Sequence, residues 1–295
     1  MKKNDIRHHT MMNRSAVGRG VKGFTLIELL VVIAIIALLL SVIIPSLRLA
    51  KEQARKVICK TNLSSMGKSL ESYGLTYNYK RLVIRKDPLE KDPYWMGKLT
   101  PFLGKDDYMT DYAEGKVIDV FMCPSAPAAK FVRDDFNMAG GSGYWGTDDI
   151  PWEWLRTTGV STLGSITING WIAYDYVYDK KAGYEEFMYR DWLSIPSSVP
   201  MFADGIWTVG WPKGADVPPI DLQGCVNINP GESRQSYLGT DTNNMRRFCI
   251  DQHNKEINLI YRDLSIQSVD LEELWDKPWH KDYQRPATAV VLPAQ

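Results

Sequence analysis

The 295-residue chain carries 35 lysines and arginines against 35 aspartates and glutamates, so its formal net charge is zero, and 44% of its residues are apolar. That balance excludes an intrinsically disordered chain and the global basic field that recruits nucleic acid, and the length suffices for one or two domains with a sizeable core. Any partner must be recognised through a local surface.

Residues 1–22 hold Lys2, Lys3, Arg7, Arg14, Arg19 and Lys22 against one acid, Asp5. By the positive-inside rule this leader stays cytoplasmic and the rest of the chain is translocated. In residues 24–44 the strongly polar members are Thr25, Glu28 and Ser41 alone. As a helix this segment reaches roughly 31 Å at about 1.5 Å per residue, enough to span a bilayer. The run is longer than a secretory signal's apolar region, and Pro45-Ser46-Leu47 is a poor cleavage site of the small-residue type. A retained anchor is therefore expected.

Glu28 is the anomaly, because a carboxylate in a membrane helix costs on the order of 2.5–3.5 kcal/mol near the bilayer centre and less towards an end. Such a group ordinarily has a partner. A cut between Gly23 and Phe24 would supply one, since the new α-ammonium of Phe24 would lie one helical turn from Glu28 or face the Glu28 of a neighbouring copy.

The basic leader, Gly23, Phe24, the run Thr25-Leu26-Ile27-Glu28 and the long apolar helix together resemble the signature of type IV pilins and type II secretion pseudopilins. The resemblance implies cleavage after Gly23 by a prepilin peptidase, N-methylation of Phe24, and a role for Glu28 in guiding subunits into a helical filament. Pro45, which kinks the family's helix near the end of its apolar half, is also present. The implied partners are the peptidase, other pilin-like subunits and an inner-membrane assembly machinery whose cytoplasmic ATP hydrolysis drives polymerisation. The implied location is the inner membrane, single-pass, with a periplasmic head, and a filament after assembly. The fold expected is α+β: a long N-terminal helix, its first half transmembrane, packed on an antiparallel sheet. The expected organisation is a leader at 1–23, a transmembrane helix at 24–44, an amphipathic continuation at 45–78 and a β-rich head at 79–295.

Beyond Pro45 the apolar positions Leu47, Ala50, Ala54, Val57 or Ile58, Leu63, Met66, Leu70 and Tyr73 recur mostly every three or four residues, which predicts that the anchor helix continues with an amphipathic face. Gly74 and Asn78 are its stop signals, and Gly67 weakens it locally. Cys59, Asn62-Leu63 and the later Cys123-Pro124-Ser125 resemble elements of a subfamily of pseudopilin-like proteins from diderm bacteria.

Further along, residues 79–120 read as loops with short elements, and 116–122 as a short strand entering Cys123. The glycine-rich stretch 137–146 lacks the strand and lysine of a phosphate loop and reads as a surface loop. Residues 171–178, 199–203 and 246–250 read as strands of an antiparallel sheet. Tryptophans cluster at Trp145, Trp152 and Trp154 and at Trp207 and Trp211. They are expected in the core. A carbohydrate-stacking surface on a membrane-tethered binding or hydrolytic head is the rival reading.

Residues 251–275 read as a hairpin in which Ile257, Leu259 and Tyr261 alternate with polar neighbours. His253 lies ten residues before Asp263, matching the family's element of a histidine followed at that spacing by an aspartate-glycine turn, except that Leu264 replaces the glycine. Leucine resists the positive φ that such a turn requires, so a longer or displaced turn is expected. His253 and Asp263 are too far apart along an extended strand to meet, roughly 30 Å at about 3.3 Å per residue, and neither is expected to be catalytic.

Cys59, Cys123, Cys225 and Cys249 lack CxxC spacing, so no metal site is expected. Disulfides, with Cys59–Cys123 and Cys225–Cys249 the favoured pairing of three, stand beside buried free thiols. No cofactor is expected, and calcium, bound by some heads of the family, finds no loop of convincing spacing. No nucleophile elbow, metalloprotease helix or dinucleotide fingerprint appears, so the chain is expected to polymerise and not to catalyse.

Overall fold

The computed structural model describes residues 24–85, 95–104, 119–131, 138, 143–155, 161–227, 232, 234–238 and 243–294. The leader, with Gly23, and residues 116–118 lie outside them. Residues 1–49 and 50–295 group as two compact units.

Helix α1 runs over Leu26–Thr76. Every residue from Phe24 to Lys51 is exposed within the chain, and the helix is long and apolar enough to cross a membrane. Pro45 lies inside it, where its missing N–H leaves the carbonyl of Ser41 without a helical donor. The hydroxyls of Ser41 and Ser46 bend back to the carbonyls of Leu38 and Ile43, at 2.7 and 2.8 Å.

In the second unit α1 buries Cys59, Leu63, Met66, Gly67, Ser69, Leu70, Tyr73 and Gly74. The apolar stripe begins only at Cys59: Leu47, Ala50, Ala54, Val57 and Ile58, expected on it, are exposed. The helix ends where Asn78 adopts φ 54° and the N–H of Tyr79 reaches back to the carbonyl of Gly74. That six-to-one bond over a left-handed residue is the Schellman arrangement, for which asparagine is the usual substitute for glycine.

The main sheet is five-stranded and mixed, ordered β10 (Ile266–Asp270), β9 (Glu256–Tyr261), β7 (Pro200–Asp204), β5 (Ile166–Asn169) and β8 (Val209–Gly210). All neighbours are antiparallel except β5 with β8. Strands β5 and β7 are buried along their whole length, which is why 199–203 reads as a continuous apolar run. Two smaller sheets join β2 (Gly143–Tyr144), β3 (Trp152–Leu155) and β4 (Ser161–Gly164), and β1 (Val83–Arg85) with β6 (Tyr174–Asp175). The architecture is the expected α+β layout.

The expected strand at 246–250 and the described part of the one at 116–122 are replaced by tighter turns, and the one at 171–178 is cut to two residues, each for the same reason. At 171–178, the Asn169 side chain accepts from the N–H of Trp171 and the Asp175 carboxylate from those of Val177 and Tyr178, closing 3-10 turns around the two-residue β6. At 246–250, the Asp216 carboxylate accepts from the N–H of Met245 and holds a 3-10 turn over Asn244–Arg247. At Asp119–Phe121, the Asn62 amide donates to two carbonyls of a 3-10 turn. Short polar side chains that bond the backbone compete with a sheet ladder and outweigh β-branched or aromatic content.

Nine of the ten tryptophans are buried in the core, and Trp154, partly buried, packs against it. Trp145, Trp152 and Trp211 are at most 2% exposed and Trp207 is 6% exposed. Trp145 and Trp154 both set their rings against Trp207, with centroids 4.3 and 5.8 Å away. The surface that motivated a carbohydrate-binding head is therefore not present at these indoles.

Candidate functional site

The first site is the start of α1. The Thr25 hydroxyl accepts from the Glu28 N–H at 3.2 Å, and Glu28 Oε2 accepts from both the N–H and the hydroxyl of Thr25 at 2.9 Å. This is a capping box, in which an N-cap threonine and an N3 glutamate satisfy each other's free backbone donors. Thr-x-x-Glu ahead of an apolar run is the sequence signal of such a box, although the partner expected for Glu28 is the Phe24 α-ammonium alone. The box gives Glu28 a partner inside its own first turn, before any cleavage. Glu28 Oε1 takes no bond from the described residues, and Phe24 beside the cap is 69% exposed.

The second site is buried in the 50–295 unit. Cys59 from α1, Cys123 from the segment after the Asp119–Phe121 turn, Asp204 from the end of β7 and His253 just before β9 bring their side-chain donor atoms within 4.8 Å of one another. These residues are at most 2% exposed. The Cys59 thiol donates to Asp204 Oδ1 at 2.6 Å. His253 Nε2 lies 3.3 Å from Cys123 Sγ and 3.4 Å from Asp204 Oδ2, while its Nδ1 lies 3.2 Å from Glu52 Oε1.

Each member is positioned by its surroundings. Pro124 and Ser125 occupy the centre of a turn closed by the Ala126 N–H on the Cys123 carbonyl, and the Cys123 N–H donates to Ser165 Oγ. Asn62, one turn along α1 from Cys59, donates to the carbonyls of Asp119 and Met122 and so fixes the approach to Cys123. Asp204 Oδ2 accepts from the backbone and side-chain nitrogens of Asn258. His253 opens a tight turn whose central residues, Asn254 and Lys255, both have positive φ.

The electrostatics follow from this crowding. Burial opposes a charge on His253, but its hydrogen bonds to Asp204 and Cys123 outweigh burial and raise its pKa to about 11. Burial also pushes the Cys123 thiol up, and hydrogen bonds from Cys59 and His253 bring it down to about 6. Cys59 is held well above the usual thiol value by burial, by its contact with Cys123 and by the Asp204 charge. The cluster is polar, charged and closed to solvent.

His253 and Asp263 do not meet. Asp263 is exposed, and its carboxylate accepts from the Ser265 N–H at 2.9 Å. Arg262, Asp263 and Leu264 form the hairpin loop, with the Leu264 N–H on the Tyr261 carbonyl and Leu264 at φ 67°. The loop is thus longer than a two-residue turn, and leucine occupies the left-handed position itself. All four cysteines are buried and none is disulfide-bonded in the structure. Burial raises the Cys225 thiol to about 11 and Cys249 further, so these two are unreactive. Asp204 had no sequence signal, and the absence of CxxC spacing concealed the cysteines' common site.

Residues 18–44 match the family described as the prokaryotic N-terminal methylation motif. The chain is also similar to the type IV wide pilus major component PilA4 of Thermus thermophilus, at 47% identity over 60 residues, which is 20% of this chain and 46% of that protein. The chain thus spans about half the length of the curated relative it matches. No solved structure matches it. The likeness to pilins therefore rests on the methylation motif and on one-fifth of the chain.

Proposed function

We propose that the chain is a type IV pilin-like structural subunit, cleaved between Gly23 and Phe24, N-methylated on Phe24 by a prepilin peptidase, and assembled through α1 into a filament with other pilin-like subunits. The observation that carries this reading is the match of residues 18–44 to the methylation motif, together with the exposed apolar helix from Leu26 that has Glu28 in its first turn.

Cleavage creates an α-ammonium on Phe24, one residue before the cap. Glu28 Oε2 is engaged by Thr25, so Oε1 is the oxygen that faces an amino terminus, its own or a neighbour's. Before assembly the apolar helix sits in the inner membrane with the leader cytoplasmic, and the head is periplasmic. In the filament the same exposed side chains bury one another. Type II secretion and surface piliation both use such a subunit, and so does a minor subunit at a filament tip, which suits a head this large. The subunit is structural, with no reaction of its own.

Mass spectrometry of the protein from cells with an active prepilin peptidase tests this. The expected amino terminus is N-methyl-phenylalanine at position 24. An intact Met1 in that material overturns the reading.

A further inference from the structure

We propose that Cys59, Cys123, Asp204 and His253 bind one zinc ion in a closed tetrahedral site that ties α1 to the central sheet. Two thiols, an imidazole nitrogen and a carboxylate oxygen form a donor set suited to zinc, and a fully enclosed four-donor site is the structural kind, with no position left for water or substrate. The inference goes beyond the assembly role and is independent of it.

The geometry is near what the ion needs. Zinc bonds of about 2.0–2.3 Å in a tetrahedron set donor-to-donor distances of roughly 3.3–3.8 Å. The Cys123 Sγ–His253 Nε2 separation, 3.3 Å, already lies in that range, and the four donor atoms lie within 4.8 Å of one another. The Cys59–Asp204 contact at 2.6 Å is held by a shared proton, and replacing that proton with a metal lets the pair open by about 1 Å.

The outer contacts are those of a metal site. A ligating histidine ordinarily donates its other ring N–H to a carboxylate, which fixes its tautomer and orientation. Glu52 stands at Nδ1, leaving Nε2 to face the cluster. Asn258 occupies Asp204 Oδ2 twice, leaving Oδ1 as the ligand oxygen. A Cys59–Cys123 disulfide would use only two of the four donors. It would leave a carboxylate and an imidazole deep in the core beside an apolar bond, an arrangement that burial penalises.

The site also explains why these particular residues converge. Cys59 and Asp204 are 145 residues apart, and Cys123 and His253 are 130 apart. An ion at their centre would join α1, the Cys-Pro-Ser turn, β7 and the entry to β9.

The test uses the full chain, purified in detergent without chelator or reductant. Elemental analysis is expected to find about one zinc per chain, and alkylation after denaturation to find Cys59 and Cys123 free. Cobalt exchanged for zinc is expected to show thiolate-to-cobalt charge-transfer absorption. Cys59→Ser and Cys123→Ser should each abolish stoichiometric zinc. Glu52→Gln keeps every donor and lies at the edge of the core, so it should fold and bind zinc about 10–100-fold more weakly. A Cys59–Cys123 disulfide in the isolated protein overturns the proposal. So do free thiols that take up neither zinc nor cobalt, zinc retained in full by Cys59→Ser, or unchanged affinity in Glu52→Gln.

Discussion

Thr25 and Glu28 hold each other: the threonine hydroxyl accepts from the glutamate N–H, and the carboxylate accepts from the threonine N–H. The carboxylate is thereby an acceptor for the first turn of α1, separable from the negative charge that the proposed assembly role requires. Glu28→Gln keeps an acceptor oxygen and removes the charge, whereas Thr25→Val keeps the charge and removes the cap hydroxyl, at about 1 kcal/mol of local helix stability. Glu28→Gln and Glu28→Ala are expected to insert in the membrane normally and to be depleted from filaments. Thr25→Val is expected to be incorporated. Comparing membrane and sheared-filament fractions for each variant checks this, and filament incorporation of Glu28→Gln at the wild-type level would remove the charge from the assembly mechanism.

Gly67 is required by close approach, not by turn geometry. A Cβ there would sit 2.3 Å from Ile260 Cδ1 and 3.2 Å from Leu264 Cδ2, so β9 and its hairpin loop lie directly on the glycine. Gly67→Ala gains up to about 1 kcal/mol of helix propensity and loses about 1–3 kcal/mol to overpacking. The expected net is a loss of about 1 kcal/mol. In an Ile260→Val background, which deletes the clashing methyl, Gly67→Ala should be neutral or stabilising. Denaturant midpoints for the four proteins of the cycle give the coupling; additive effects would contradict the contact.

Leu264 occupies a left-handed position that costs a non-glycine residue about 1–2 kcal/mol, and its half-buried side chain packs on the core and recovers part of this. Leu264→Ala loses the packing and keeps the strain. Leu264→Gly loses the packing and the strain together, so it is expected to be more stable than Leu264→Ala by about 1 kcal/mol. Thermal unfolding of the pair decides it, because at an ordinary strand or turn position alanine would be at least as stable.

Asp216 gives a pH signature. Burial raises its pKa from the ordinary 3.8 to about 6, against the backbone hydrogen bonds from Lys213 and Met245 that favour the charge. For a carboxyl raised on folding, the stabilisation of the neutral form is complete below about pH 4. It is lost as pH rises through 6, by up to roughly 3 kcal/mol. Asp216→Asn stays neutral and retains an oxygen for both N–H groups. Relative to the wild type it should therefore be about equal in stability near pH 4 and more stable near pH 7. Urea midpoints at the two pH values measure the difference, and a pH-independent difference would count against the buried ionisation.

The amino-acid sequence by itself determined what depends on neighbours along the chain. The apolar run, the methylation motif over residues 18–44, the distal face of α1 from Leu63 to Tyr73 and the 251–275 hairpin are legible from residue pattern, periodicity and turn chemistry. Each is set by contacts a few residues long. The expected strand at 171–178 is cut to two residues and the one at 246–250 is lost, where Asn169, Asp175 and Asp216 captured backbone N–H groups and formed 3-10 turns instead. Only the tertiary structure decided that nine of the ten tryptophans are core and that Cys59, Cys123, Asp204 and His253 share one buried space. The physical reason is separation: no local pattern records which residues meet across 130 or 145 positions, because that is settled by how the sheet packs on α1.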